Sequence, residues 1–282
     1  MSHHQKRHHQ SRFWGLIATI LLVSMILAAC DTILGDDAEP SPTIFDQSFE
    51  EYQTSLPYTL NAPTPGFESV SFPEIDDNLP SISYSKFEVT VTFDGFYTDT
   101  SEPVNGFMKL TAWNDEFTEA RQIQIEFLGD VFSGGASNLD VVRIVNQYYM
   151  INPNGVCITD AGQVSELANI RAGQLLGGIE FAQPTSNVEE IDGIQAWQYG
   201  FDEQFINPPA IQFESENDEI DYLSGAVWVS PEYNIVMRYT VEMNVHRAIL
   251  LSGERPVTGR MRYQYDVDIL DEPPSISIPN QC

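Results

Sequence analysis

From about residue 85 onward the chain alternates. Phe87, Val89, Val91 and Phe93 take turns with Glu88, Thr90 and Thr92. A period of two sends successive side chains to opposite faces, so this run is a strand with one apolar and one polar face. Residues 107–113 continue the pattern. So do residues 121–127, where Ile123, Ile125 and Phe127 share a face. Further strands are expected over 141–151 and 155–159, across the turn Asn152-Pro153-Asn154-Gly155. Asn-Gly readily takes the positive φ angles of a tight hairpin. Asp94-Gly95 reads as another turn. Later strands fall at 192–202, 222–229, 234–245 and 260–269. One segment breaks the β pattern. Val164, Leu167, Ala168, Ala172, Leu175, Leu176 and Ile179 recur at three- and four-residue spacing. They predict one amphipathic helix, with Asp160 as N-cap and Gly177-Gly178 as its stop. The expected fold class is therefore mainly β (α+β), a long antiparallel meander interrupted by a central helix. Trp113, Trp197 and Trp228 fall on strands, where they either pack the core or line a ligand cavity.

The N-terminus carries a different message. Lys6, Arg7 and Arg12 precede a mostly apolar run over 13–27, followed by Leu27-Ala28-Ala29-Cys30. A basic start, a short apolar stretch and small residues before a cut site make a secretory signal peptide over 1–29. The apolar run is short for a membrane span of about 20 residues. Ala28-Ala29-Cys30 resembles the lipobox of bacterial lipoproteins. That likeness implies that Cys30 is acylated, with diacylglycerol and palmitate, and becomes the first residue of the mature chain. The chain would then be lipid-anchored on the extracytoplasmic face of the cell membrane. Residues 30–43 are rich in Asp, Pro, Ser and Thr and read as a flexible acidic tether. Residues 44–282 are expected to form a single domain. Its lead-in, 44–84, is poorly defined: Ile44, Phe45, Phe49 and Tyr52 suggest a short helix before several prolines.

The cut changes the chemistry available. The segment ahead of Cys30 holds three of the 13 basic residues and none of the 41 acidic ones, leaving 10 against 41 and a charge of −31. Such a chain repels nucleic acid. Four of five histidines also leave, and only His246 remains. This argues against a multi-histidine metal site. The run Glu214, Glu216, Asp218, Glu219 and Asp221 offers hard oxygens for calcium. It lacks the spacing and turn glycine of an EF-hand, and a solvated loop is the plainer reading. No phosphate loop, dinucleotide fingerprint or nucleophile elbow is present. No enzymatic activity, cofactor or metal is expected. In an oxidising compartment Cys157 and Cys282 either form a bridge or stay as two thiols.

Three segments, in order, resemble the LppX/LprG-type lipoproteins and related LolA-like carriers. They are Ile191-Asp192-Gly193-Ile194-Gln195-Ala196-Trp197-Gln198-Tyr199, Gly225-Ala226-Val227-Trp228-Val229-Ser230 with Ile235-Val236-Met237-Arg238, and Tyr265-Asp266-Val267-Asp268-Ile269 with Ile276-Ser277-Ile278-Pro279. The likeness covers roughly residues 85–280. It implies a strongly curved antiparallel sheet, a half-barrel, with helices covering its concave face over an apolar cavity. It also implies a non-catalytic role: binding a lipid or acyl-chain ligand for transport or presentation in the cell envelope. The alternative within the same fold is an envelope sensor or interaction module with a protein partner. Phe87, Val89, Val91, Phe93, Ile123, Ile125 and Phe127 would line the cavity or fill a solid core.

Overall fold

A strand that is apolar on one face needs a partner for that face, and the chain supplies it by curling one sheet around itself. The structure is a computed structural model and describes residues 68–133, 137–159, 162–213, 219–251 and 253–282, which belong to one compact unit. The signal peptide, Cys30, the tether and most of the lead-in lie outside the described residues. So do Asp160 and positions 214–218 of the acidic run.

Thirteen strands are present: β1 (Val70–Phe72), β2 (Tyr84–Tyr97), β3 (Pro103–Asp115), β4 (Ala120–Leu128), β5 (Ser137–Ile144), β6 (Gln147–Ile151), β7 (Cys157–Ile158), β8 (Ile179–Ile191), β9 (Ile194–Gly200), β10 (Ile211–Phe213), β11 (Glu219–Ser230), β12 (Ile235–Leu250) and β13 (Val257–Ile269). Three short α-helices accompany them among the described residues: α1 (Asp130–Ser133), α2 (Gln163–Ala168) and α3 (Ala172–Leu176). The strands form one antiparallel sheet in the order β1-β8-β9-β11-β12-β13-β2-β3-β4-β5-β6-β7, with β10 added beside β12. Two meanders, β2 to β7 and β8 to β13, are thus joined through the β13–β2 pair. The sheet does not close. Its outer strands, β1 and β7, have three and two residues, and short edges offer little backbone for unwanted pairing. The crossover from β7 to β8 carries α2 and α3 between opposite ends of the strand order.

The register aligns the apolar face in continuous rows. One row runs from Tyr199 on β9 through Val227, Tyr239, Tyr265, Val89, Leu110 and Ile125 to Leu139 on β5. The next contains Val267, Phe87, Ala112, Ile123, Val141, Met150 and Ile158. Ile75, Phe132, Val164, Ala168, Ala172 and Leu176 from the covering segments join the same core. The opposite face carries charges that pair across strands, including Lys86–Asp268, Lys109–Glu88 and Arg238–Asp266.

Several local expectations need correction. Asp94-Gly95 is no turn, because β2 runs straight through it. Gly95 lies opposite Gly259, and a Cβ on either would meet backbone of the other strand at under 3.0 Å. Here the glycines permit a close approach of strands. The expected strand over 141–151 is two strands, with a turn at Val145 and Asn146 where Val145 takes φ 53°. The single helix over 164–179 is two helices. Arg171 is extended, at φ −103° and ψ 152°, which separates α2 from α3. Ile179 belongs to β8, and Gly177 at φ 77° ends α3. The Asn152–Gly155 turn stands as read: Asn152 Oδ1 accepts the amides of Asn154 and Val156, and Gly155 sits at φ 73°.

Candidate functional site: the concave face and its buried arginines

All seven residues expected along a cavity lie on the concave face, brought together by β2 and β4. Six are at most 5% exposed and Phe127 is half-buried, so protein atoms surround them as the structure stands. At the β2 turn-ward end, Val131 and Phe132 of α1 press on Gly106, where a Cβ would meet Val131 at 2.0 Å. Trp197 is buried in the core. Trp228 is half-buried, with the Arg238 guanidinium 5.8 Å from its ring centre.

The interior is not wholly apolar. Tyr239, Tyr263 and Tyr265 project inward from β12 and β13, each at most 1% exposed. The hydroxyls of Tyr263 and Tyr265 have no hydrogen-bond partner among the described residues. Burial disfavours a phenolate, so it raises the pKa of all three well above the ordinary 10, and that of Tyr199 to about 12.

One end of the concave face is polar. A row there contains Ser85, Asn114, Arg121, Arg143 and Tyr148 on neighbouring strands. The Asn114 amide donates to Ser85 Oγ at 3.2 Å. Arg121 is 9% exposed, donates through Nη2 to the Ile170 carbonyl at 2.6 Å, and lies 5.6 Å from the centre of the Phe87 ring. Arg143 donates to Asn169 Oδ1. The Nε of each arginine is buried without a partner among the described residues. Desolvation, and then the neighbouring charge of Arg143, push the Arg121 pKa down to about 10. The crossover covering this end is held by Asp76, which is 5% exposed. Its carboxylate accepts the amides of Ala172 at 2.8 Å and Gly173 at 3.0 Å, and pairs with Arg171 at 3.4 Å. Fixed amides at a helix start favour a carboxylate.

Sequence reasoning missed Arg121 and Arg143 as site residues, although a signal was there. Arg121 shares the parity of Ile123 and Ile125, which places a charge on the apolar face.

Cys157 and Cys282 are joined, with an Sγ–Sγ distance of 2.03 Å and Cα atoms 5.4 Å apart. The bridge ties the C-terminal tail to the β7 edge. His246 sits on β12 and shares a 3.0 Å hydrogen bond with Asp221 at the surface. Among the described residues no cluster of three or more His, Cys, Asp or Glu could hold a metal, and no helix is long and apolar enough to cross a membrane.

No protein-family model matches the sequence, and no curated protein matches it. Among solved structures, it is similar to a DUF1329 family protein from Desulfovibrio piger at 11% identity, covering 71% of this chain and 90% of that one, with a TM-score of 0.24. It is also similar to a domain described as that of an outer membrane lipoprotein-sorting protein from Vibrio parahaemolyticus, at 8% identity, with 68% and 87% covered and a TM-score of 0.22. Both likenesses are too remote to bear on function.

Proposed function

We propose that this protein is a lipoprotein, anchored through Cys30 to the extracytoplasmic face of the membrane, that binds a lipid or acyl chain against the concave face for transport or presentation in the envelope. The observation that carries the reading is the apolar row that crosses eight strands from Tyr199 to Leu139 in an open sheet. The face is broad, while α1, α2 and α3 have four, six and five residues. Helices that short are not stable alone and hold their place through packing. An acyl chain takes over those contacts by displacing part of the crossover, exchanging one apolar neighbour for another at little cost. The role is one of binding and requires no catalysis. An acidic domain is repelled by anionic head groups and stands off the bilayer while its anchor keeps it close.

Photo-crosslinking tests the reading. The full chain, purified from membranes, is exposed to a palmitoyl probe with a diazirine on its chain, and the labelled peptides are mapped. Adducts on β2, β4 and β13 support the proposal. Adducts confined to the convex face, or none, refute it.

A further inference from the structure

The two arginines at the end of the concave face donate to the crossover, at the Ile170 carbonyl and Asn169 Oδ1, yet neither meets a carboxylate. Among the described residues, Lys86, Lys109, Arg171, Arg238, Arg255, Arg260 and Arg262 each lie within ion-pair distance of a carboxylate. No described carboxylate is that close to Arg121 or Arg143, in a chain with 41 acidic residues. Acid is abundant, yet the most buried arginine faces a like charge across the β4–β5 pair. Asp76 and Glu116 act on Arg121 only from beyond ion-pair distance, and the Asp76 carboxylate is hydrogen-bonded to Ala172, Gly173 and Arg171 instead. A buried charge without a counterion is costly and calls for a partner.

Arg121 Nε and Arg143 Nε at this end, and Tyr265 Oη two rows further along the same face, lack acceptors among the described residues. Arg121 and Tyr265 flank one ring. Arg121 lies 5.6 Å from the centre of Phe87, whose ring is 5.9 Å from that of Tyr265. Buried donors without partners are rare in folded proteins and call for an explanation, such as an ordered water or a bound anion. The planar guanidinium fork matches carboxylate and phosphate oxygens. The apolar row of Phe87, Ala112, Ile123 and Val141 begins one strand pitch away on the same face. Outside, Phe117 is 84% and Val145 48% exposed on the turns that cap the same strands. Apolar tips beside two arginines suit approach by an amphiphile.

We propose that Arg121, Arg143 and Tyr265 hold the anionic head, a carboxylate or a phosphate, of one acyl amphiphile whose chain lies on the adjoining apolar rows. This rests on the acyl-binding reading above and adds the class of ligand.

The test titrates the full chain, in a mild non-ionic detergent, with palmitate, palmitoyl lysophosphatidate, methyl palmitate or inorganic phosphate, and reads the bound fraction by native mass spectrometry. At least one of the two anionic amphiphiles is expected to bind about tenfold or more tighter than the methyl ester, as charge-assisted hydrogen bonds imply. Arg121→Gln with Arg143→Gln is expected to bring that amphiphile to the level of the ester, both measured on the same variant. Arg260→Gln with Arg262→Gln, on the outer face, keeps the preference. Equal binding of ester and anions by the unaltered chain overturns the head-group site and leaves the acyl reading standing, and this comparison needs no variant to fold. Binding of none of the amphiphiles overturns the acyl reading itself. Inorganic phosphate binding as tightly as the amphiphiles makes this a free-anion site and overturns the assignment. So does a preference that survives loss of both arginines.

Discussion

Replacing Tyr263 or Tyr265 by Phe is expected to stabilise the protein, the reverse of the usual result for a buried tyrosine. Both side chains are completely buried, and neither hydroxyl has a partner among the described residues. In the unfolded chain each hydroxyl is hydrated. Folding strips that water and returns nothing, a cost of about 1–3 kcal/mol per group on the scale of protein substitutions. Phenylalanine keeps the ring and removes the oxygen, so only a few atomic contacts are lost against that relief. The net expectation is a gain of about 1–2 kcal/mol for each substitution. The two positions are neighbours on one face of β13, so the double variant gains roughly the sum only if they do not share a relaxation. At about 2–4 °C per kcal/mol for a domain of this size, each single variant melts about 2–8 °C higher. Urea unfolding with an unchanged m-value is the assay. Loss of 1 kcal/mol or more in either variant, the ordinary cost of breaking a satisfied hydrogen bond, would show that the hydroxyls are paired and refute the reasoning. Tyr265→Phe carries a second expectation: a more stable ligand-free protein that binds an anionic amphiphile less well.

Three further outcomes follow from the same geometry. Burial raises the pKa of Tyr199, Tyr239, Tyr263 and Tyr265, so the folded state holds these protons more tightly than the unfolded state does. Their contribution is intact below the ordinary tyrosine pKa near 10 and is lost as pH rises above it; the urea midpoint should fall steeply there, with the tyrosinate absorbance of these four appearing only as the protein unfolds. Asp76→Ala removes two amide acceptors and an ion-pair partner at the start of α3, and should cost about 2–3 kcal/mol and open the crossover over 163–176 to limited proteolysis. Cys282→Ser frees a loop spanning 125 residues and should cost about 2–4 kcal/mol, lowering the melting temperature by about 4–16 °C; thiols that label in the unreduced native protein would contradict the bridge.

Much of the fold was legible because period-two alternation is a direct record of a half-buried strand. β4 read cleanly, as did β2 up to Phe93 and the Asn152–Gly155 turn, where side chain and glycine act locally. The errors came where distant packing decides. Asp94-Gly95 has turn composition, yet Gly95 is there to admit Gly259 from a strand more than 160 residues away. The apolar spacing over 164–179 is helical throughout, but Asp76 captures the amides of Ala172 and Gly173 and starts a second helix there. The curled order, with β13 beside β2, depends on pairings between the two meanders that no local pattern records. Arg121 and Arg143 were legible only in part: parity puts them on the inner face, but that no carboxylate comes within ion-pair distance of either is visible only in the folded chain.

The central claim is that the concave face holds an acyl ligand in the cell. Native mass spectrometry of the full chain, released from its own membranes in mild detergent and not loaded with any ligand, tests it most directly. The account predicts a second population heavier by the mass of one non-covalently held lipid, which is lost on collisional activation while the covalent anchor at Cys30 stays. A spectrum containing only the acylated chain, from protein that is still folded, would contradict it.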